Sequence, residues 1–241
     1  MSEQRAGKGT LYLVPVSLGG DDARSVLPSG TLDIARGLAT FIAENAKTAR
    51  AFLKAIGHPR PLQQIQFHVL DEHTGVRQIE ALLALLLAGG DCGLVSEAGC
   101  PAVADPGAAL VRRAHETGVR VIPLVGPSSI LLALMASGMD GQRFAFHGYL
   151  PVDKAERARR LKELEQRARG ETQIFIETPY RNAAMLQSLL EHCRGDTLLC
   201  VAADLTLPGG SVTMHAVSEW KKKPPALDRR LVVFLLLREP G

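Results

Sequence analysis

Short apolar runs alternate with longer segments of helical pattern along the first half of the chain. Five of these runs predict strands, at residues 10–15, 38–43, 64–70, 93–96 and 119–123. Helices are predicted between them, at residues 45–56, 76–88 and 106–117. Apolar runs of about 4–8 residues bounded by turn residues are typical of buried strands, and their alternation with helices favours a parallel sheet covered on both faces.

The second half continues the alternation with more charged helices. Helices are predicted at residues 128–137, 153–169 and 182–192, and strands at residues 144–146, 172–177, 197–203, 211–217 and 231–237. We expect the last two strands to pair antiparallel. The change of pattern places a domain boundary near residues 124–126, giving domains 1–124 and 125–241. Because no long flexible linker separates them, we expect the two domains to enclose a cleft.

Composition narrows the class of protein only slightly. Hydrophobic residues make up 46% of the 241 residues and charged residues 22%, which is ordinary for a globular protein. The net charge of +3 allows an anionic partner without requiring one. The N-terminus has no apolar signal region, and the longest apolar run, at residues 81–88, is too short to cross a bilayer. The four cysteines lack zinc-site spacing, so we expect no metal. Without a signal region or a membrane-spanning run, we expect a soluble cytoplasmic protein with no membrane partner.

Four loops at predicted strand ends have the composition of a ligand site. They are residues 14–20, 95–107, 125–129 and 177–181, all rich in Gly, Pro or Ser. Ligands of doubly wound sheets bind beyond the carboxyl ends of the strands, where small residues allow close approach to the backbone. The usual dinucleotide, P-loop, serine-hydrolase and zinc-protease motifs are missing from the sequence. Each loop alone is typical of a tight turn, and the four together favour a site.

The same loops carry a family resemblance. GTLYLVPVSLGG, from Gly9, resembles GTLYLVPTPIGN, and LVSEAGCPAVADPG, from Leu94, resembles LVSDAGTPxxxDPG. LVGPSS, SGMDGQRFAFHGYLP and QIFIETPYR are similar to LPGPSA, AGLPxxxFxFxGFLP and LIFYESxHR. These motifs, in this order, are those of the ribosomal RNA small-subunit methyltransferase I group of the tetrapyrrole methylase family. The resemblance extends from Gly9 to about Arg238.

The resemblance implies an α/β fold of the class III methyltransferase type. It implies two α/β domains, a mostly parallel first sheet and a mixed second sheet, with S-adenosyl-L-methionine in the cleft and a homodimer as the assembly. Matching motif positions imply cofactor-binding roles for Pro15, Ser96, Glu97, Ala98, Ser128, Ser129, Ile176, Glu177, Thr178, Ala202 and Leu231.

Several positions depart from the motifs of the group. The family segment AEDTRHT is AENAKTA here, so that Glu44 is kept while Asn45 and Lys47 replace an aspartate and an arginine. Lysine cannot reproduce the bidentate contact of arginine with phosphate. Gly20 replaces an asparagine, residues 203–209 depart from RELTKxxE, and Arg229-Arg230 replaces a Lys-Gly pair. The departures lie at the expected substrate end of the cleft.

Two carboxylates are the candidate catalytic residues. Glu97 and Glu44 stand next to predicted strand ends, where either could accept a proton from the methyl acceptor. Glu97 could instead hold its own loop through backbone N–H groups, and Glu44 could be a carboxylate stabilised at a helix start. Asp105 is interpreted as a helix N-cap.

Ribosomal RNA is the partner that the resemblance implies, and two basic stretches agree with it. Residues 154–169 hold seven Lys or Arg residues, and Trp220 precedes three lysines, which could combine base stacking with phosphate contacts. The sequence therefore predicts 2′-O-methylation of a cytidine in small-subunit ribosomal RNA. The alternatives are methylation of a tetrapyrrole or another small molecule, and a cofactor-binding paralogue without catalysis.

Overall fold

Each half of the chain is built on a five-stranded sheet. The structure is a computed structural model that describes residues 7–20 and 22–238. It divides into two compact units, Met1–Ser128 and Ser129–Gly241, where the sequence predicts a boundary after residue 124. The units are called unit 1 and unit 2 below.

The sheet of unit 1 is entirely parallel, as predicted. Its strands are β1 (Thr10–Val14), β2 (Thr40–Ala43), β3 (Gln66–Val69), β4 (Cys92–Val95) and β5 (Arg120–Pro123), in the order β3-β2-β4-β1-β5. Its α-helices are α1 (Ser29–Gly37), α2 (Ala46–Ala55), α3 (Val76–Leu87) and α4 (Ala108–Glu116). Two short 3₁₀ turns lie at Ala23–Ser25 and Leu62–Gln64.

Both faces of this sheet are covered. Phe41 of β2 packs in a core with α1 and α2, and its neighbour Ile42 packs in a second core with α3 and α4. Successive side chains of a strand point to opposite faces, so β2 needs apolar side chains on both faces, at Phe41, Ile42 and Ala43. This explains why its sequence reads as a continuous hydrophobic run instead of an alternating one.

The strand order creates a switch point between β2 and β4. The chain leaves β2 toward β3 on one side, and it leaves β4 toward β5 on the other. Ala43 and Val95, the last residues of β2 and β4, are paired in register. In doubly wound sheets such a divergence of loops opens a crevice at the carboxyl ends of the strands, where ligands bind.

Unit 2 has a mixed sheet, which confirms the predicted fold class. Its strands are β6 (Phe144–Tyr149), β7 (Thr172–Glu177), β8 (Leu198–Ala203), β9 (Ser211–Ala216) and β10 (Val232–Leu237), in the order β6-β7-β10-β8-β9. β6 and β7 are parallel, and the remaining pairs are antiparallel. Its helices are α5 (Ser129–Ser137), α6 (Lys154–Arg167), α7 (Asn182–His192) and α8 (Val217–Lys222).

The predicted pairing between the last two strands is wrong. β10 and β9 both pair antiparallel with β8, which lies between them. β10 has the sequence VVFLLL and is buried along nearly its whole length, whereas β9 is polar and mostly accessible. A wholly apolar strand gains most from a central place with both faces covered, and a polar strand tolerates the edge.

Two helices were missed by the sequence analysis. α1 contains two glycines, which weaken the helical pattern, but Leu32 and Ala35 anchor it in the core. α8 is only six residues long, which is too short for a helical period to show in the sequence. Tertiary burial of a few apolar side chains decides both cases, and propensity alone does not report it.

Candidate functional site

Three of the four predicted loops meet in unit 1. The loop after β1 is joined to the loop after β4, where Val16 N–H donates to the carbonyl of Gly99 at 2.9 Å. The loop after β4 reaches the loop after β5, where the Cys100 thiol lies 3.5 Å from the carbonyl of Pro127. The carboxyl edge of this sheet therefore carries one connected set of loops, as the sequence predicts.

Pro15 lies at the base of these loops against Gly126. Pro15 is buried, and a Cβ built on Gly126 would lie 2.3 Å from the Pro15 Cβ and 2.7 Å from its Cγ. No real side chain tolerates such distances, so the residue that follows Val125 has to be glycine if the two loops are to pack this closely. Thr31 of α1 fixes the same segment by donating its hydroxyl to the Val125 carbonyl at 2.7 Å.

Ser96, Glu97 and Ala98 divide their roles in the loop after β4. The buried Ser96 hydroxyl donates to the carbonyls of Ala98 at 3.3 Å and Gly99 at 3.2 Å, so it holds the turn together. Glu97 and Ala98 are exposed. Within residues 7–20 and 22–238 the Glu97 carboxylate accepts no hydrogen bond, so the alternative interpretation of Glu97 as a loop-holding carboxylate does not describe the structure.

A carboxylate cluster, formed by Glu44, Glu97 and Asp105, lies at the switch point of unit 1. Burial raises the pKa of Asp105 to about 6, with further contributions from the charges of Glu44 and Glu97. Burial also raises the pKa of Glu44, followed by the charge of Glu97. Glu44 directly precedes Asn45, the N-cap of α2, so its interpretation as a helix-start carboxylate stays a prediction beside the catalytic one.

Asp105 is not the helix cap that the sequence predicts. α4 begins at Ala108 after Gly107, and no side chain caps it. Ala102 and Ala104 have φ angles of 64° and 61°, a left-handed conformation that alanine rarely adopts. This loop brings Asp105 back to the sheet edge, where the charges of Glu44 and Glu97 contribute to its raised pKa. The only sequence signal for this loop path is the ADPG segment at residues 104–107, because an irregular loop has no periodic pattern.

The candidate residues of unit 2 lie together at one end of its sheet. Val233 of β10 is paired with Ile176 on one side and Ala202 on the other, and Leu231 stands just before β10 with 44% of its surface exposed. Leu231 N–H donates to Asp204 Oδ1 at 2.9 Å, and its carbonyl accepts from Asp204 N–H at 2.8 Å. Ala202 and Val233 are buried and both backbone groups of Leu231 are bonded to Asp204, so the accessible apolar side chains of this set are those of Leu231 and, in part, Ile176.

Glu177 stabilises its own loop. Its buried carboxylate accepts hydrogen bonds from Thr178 N–H at 2.7 Å and from Arg181 Nε at 2.8 Å. Ser129 is the first residue of α5, and Ser128 is the last residue of unit 1. The sequence assigns the residues of both units to one cofactor site, and this assignment stays a prediction.

The profile of the family described as Tetrapyrrole (Corrin/Porphyrin) Methylases matches residues 20–219, most of the chain. The chain belongs to this family. The methylase is 36% identical over 200 residues to the ribosomal RNA small subunit methyltransferase I of Xylella fastidiosa, covering 82% of the methylase and 69% of that protein. The protein of the same name from Escherichia coli O157:H7 is 31% identical over 199 residues, covering 83% and 66%. The methylase thus spans about two thirds of the length of these relatives.

Solved structures confirm the fold. The crystal structure of the methyltransferase CobJ aligns with a TM-score of 0.63 and 16% identity, covering 95% of the methylase and 94% of CobJ. At this identity the likeness concerns the fold alone. Together with the family and the names of the relatives, it identifies the chain as a methyltransferase with the predicted class III architecture.

The departures at Asn45 and Lys47 have a local structural meaning. Asn45 is the N-cap of α2, where its side chain accepts from Lys47 N–H at 2.9 Å. Asparagine and aspartate are about equally good N-caps, so this exchange leaves the entry of α2 into the sheet edge intact. The Lys47 side chain is exposed on the first turn of the helix.

The basic helix α6 offers less free charge than its sequence indicates. Arg157 is buried, with its Nε donating to Ser188 Oγ at 2.9 Å. Arg160 pairs with Glu163 at 3.1 Å. The remaining basic residues of the stretch are exposed: Lys154, Arg159, Lys162, Arg167 and Arg169.

Trp220 cannot stack on RNA as predicted. It is 5% exposed, and its indole N–H donates to the carbonyl of Leu199 at 2.8 Å. α8 is amphipathic: it buries Trp220 against the sheet and leaves Lys221 and Lys222 in solvent. An indole gains more free energy from a core with a satisfied N–H than from water, so the aromatic residue beside the lysines anchors the helix.

Neither a metal site nor a spanning helix is found in the described parts of the methylase. Residues 7–20 and 22–238 contain no group of three His, Cys, Asp or Glu side chains placed to hold a metal ion. No helix in the same ranges is long and apolar enough to cross a membrane. All four cysteines are free thiols.

Proposed function

We propose that the chain transfers a methyl group from S-adenosyl-L-methionine to the ribose 2′-hydroxyl of a cytidine in small-subunit ribosomal RNA. The observation that carries the proposal is the carboxylate cluster at the switch point, surrounded by three connected strand-end loops. The names of the relatives support ribosomal RNA as the acceptor. The proposal includes a homodimer acting in the cytoplasm, as the family resemblance implies.

Each unit, taken by itself, carries residues that fit a part of S-adenosyl-L-methionine. Three carboxylates in unit 1 complement a positively charged sulfur, and the exposed Ala98 leaves the loop backbone accessible. In unit 2, Leu231 and Ile176 offer apolar contact to an adenine ring. When bound, the cofactor supplies the methyl group on its sulfonium. The residues of the chain hold and orient the two reactants and exclude water from them.

The carboxylates supply the proton acceptor that a hydroxyl group requires. Glu97 is exposed and unbonded, so it is the candidate that is free to approach the 2′-hydroxyl. Asp105, with a pKa of about 6, and Glu44 are partly buried, and the charge of Glu97 contributes to the raised pKa of each. We infer that the acceptor proton passes to this cluster, which lets the ribose oxygen attack as its charge develops.

Glu97→Gln tests the chemistry separately from binding. The exchange keeps the shape of the side chain and removes the proton acceptor, so we expect single-turnover methylation of small ribosomal subunits to slow by about 100-fold. Calorimetry should still detect S-adenosyl-L-methionine binding. Glu156→Gln, which alters an exposed carboxylate in the first turn of α6, is the matched control and should keep the wild-type rate.

Other outcomes separate the alternatives. Transfer to a tetrapyrrole and not to ribosomal RNA would replace the acceptor. Cofactor binding without transfer to any acceptor would indicate a paralogue that lacks catalysis. An unchanged rate in Glu97→Gln would exclude Glu97 as the proton acceptor.

A further inference from the structure

An exposed aromatic residue and an exposed arginine lie on two segments in backbone contact, next to the candidate residues of unit 2. Tyr180, in the loop after β7, has 82% of its surface exposed, the highest value among the large hydrophobic side chains of the described residues. Arg229, in the segment before β10, is also exposed. The Arg229 N–H donates to the carbonyl of Pro179 at 3.3 Å, so the two segments are in direct contact.

The loop that carries Tyr180 is fixed without help from the ring. Arg181 N–H donates to the carbonyl of Thr178 at 2.9 Å, which closes a turn around Pro179 and Tyr180. The Glu177 carboxylate fastens both ends of this turn by accepting from Thr178 N–H and from the Arg181 side chain. The phenol ring is therefore exposed to solvent on a loop that backbone and side-chain hydrogen bonds fix, and the ring is not needed for the packing of that loop.

Arg229 combines a strained backbone conformation with a guanidinium group that has no carboxylate partner among the described residues. Its φ angle is 59°, in the left-handed region that favours glycine. Its neighbour Arg230 pairs with Asp204 at 2.6 Å, and Arg181 pairs with Glu177. Within the described part of the chain the Arg229 guanidinium forms no ion pair, either with Asp228 beside it or with another carboxylate.

We propose that Tyr180 and Arg229 form a nucleotide subsite for one unpaired RNA nucleotide, with the base stacked on the phenol ring and the phosphate bound by the guanidinium. The inference rests on the proposed RNA acceptor. Single-stranded RNA is recognised by stacking of splayed bases on aromatic rings and by charge-assisted contacts of arginine with phosphate. Trp220 is buried and cannot serve as the platform, and the carboxylate cluster repels phosphate.

Ring removal tests the stacking half of the subsite. Binding of a fluorescein-labelled single-stranded oligoribonucleotide to the full chain is followed by anisotropy at several salt concentrations. Tyr180→Ala should weaken binding by about 10-fold, and Tyr180→Phe should stay within about 2-fold of wild type because the ring remains. Val152→Ala, an exposed apolar side chain before α6, is the control and should bind like wild type.

Arg229→Gly tests the phosphate half. Loss of one phosphate contact should lower the slope of log affinity against log salt by about one, while thermal stability rises because glycine accepts the left-handed backbone. Thr206→Gly is the matched control, since Thr206 is exposed with a φ angle of 70° and carries no charge. It should gain stability and keep the wild-type salt slope.

The outcomes distinguish this inference from the proposed function. Wild-type methylation of ribosomal RNA, combined with unchanged affinity in Tyr180→Ala or an unchanged salt slope in Arg229→Gly, overturns the subsite and leaves the proposed function standing. Loss of S-adenosyl-L-methionine affinity in Tyr180→Ala, measured by calorimetry, would place the ring in the cofactor site and also overturn the subsite. A wild-type chain that binds no RNA overturns both proposals.

Discussion

Asp105 shows how a single side chain can work against the stability of the fold. Its carboxyl group is partly buried beside two other carboxylates, and it stays protonated to a pH of about 6 instead of its ordinary 3.8. In the unfolded chain the same group ionises near its ordinary value. Between these two pKa values the folded state binds more protons, so this group stabilises the fold at low pH and loses that contribution as the pH rises through about 6.

Asp105→Asn should therefore stabilise the protein at neutral pH. We expect a gain of about 1–2 kcal/mol in the free energy of unfolding at pH 7, reduced from the full value of the shift because the group is partly exposed. The gain should vanish near pH 4, where wild-type Asp105 is neutral when folded. Urea unfolding at both pH values measures it, and an equal gain at both would show that charge is not the cause.

Asp105→Asn should also change the pH dependence of catalysis. Asp105 ionises near pH 6 in the folded protein, so its ionisation should contribute to the acid limb of the single-turnover rate profile, and this limb should shift to lower pH in Asp105→Asn. Profiles of wild type and variant between pH 5 and pH 8 decide this. Superimposable acid limbs would mean that Asp105 does not face the groups that accept the proton.

At the scale of elements, the site of unit 1 depends on how closely the strand-end loops pack. The loop after β5 passes so near the loop after β1 that glycine alone fits at position 126. The hydrogen bonds from Val16 and Thr31 then fix the three loops relative to the sheet. The helices that follow these strands bury the faces of the sheet, and the candidate site residues lie in the loops.

Gly126→Ala should disturb this arrangement without changing any polar group. The added Cβ would overlap the rigid ring of Pro15, so we expect a loss of about 1–3 kcal/mol in the free energy of unfolding and weaker S-adenosyl-L-methionine binding. Gly30→Ala is the control, because a Cβ there meets nothing within 4 Å and lies in α1. Chemical unfolding and calorimetry on both variants test the difference, which a tolerant loop would not show.

The sequence predicts the elements of this fold better than their neighbours in space. Short runs of strand-forming residues and Gly or Pro punctuation locate all ten strands, and the pattern is strongest where burial on both faces makes the run continuously apolar, as in β10. The position of β10 between β7 and β8 is a matter of pairing over long sequence distances, which no local pattern reports. The antiparallel pairing predicted for β9 and β10 failed for this reason.

The candidate site is predictable to the same degree. The position of Pro15 and Glu97 at one edge of the sheet follows from strand direction alone, and their roles in binding and catalysis stay predictions. Asp105 and Trp220 were misjudged because their surroundings depend on a left-handed loop and on the packing of a short helix. The sequence shows Tyr180 as part of a motif, but it does not predict that the ring is exposed, because exposure is a property of the folded surface.

At the scale of the whole molecule, the four thiols report on the two units separately. Cys92 belongs to unit 1, and burial raises its pKa to about 11. Cys193 and Cys200 belong to unit 2, and burial raises each pKa to about 12. Cys100 is partly accessible and lies within the connected loops of unit 1.

A thiol reagent should modify Cys100 alone in the folded protein. The other three thiols are buried and protonated, so they should react only after urea unfolds their unit, as peptide mass spectrometry would show. S-adenosylhomocysteine, the product form of the proposed cofactor, should slow the modification of Cys100, and Cys100→Ser should remove the native reaction. Modification of Cys193 or Cys200 without urea would contradict the packing of unit 2.

The central place of β10 has a consequence for the way the chain is made. β7 and β8 lie on either side of residues 232–237, so the edge of each strand that faces β10 stays unpaired until those residues have been synthesised. During translation the nascent chain therefore exposes two apolar strand edges, which are prone to aggregate with other chains. A chaperone that shields extended apolar segments on the ribosome should improve the yield of folded protein more than one that acts after release.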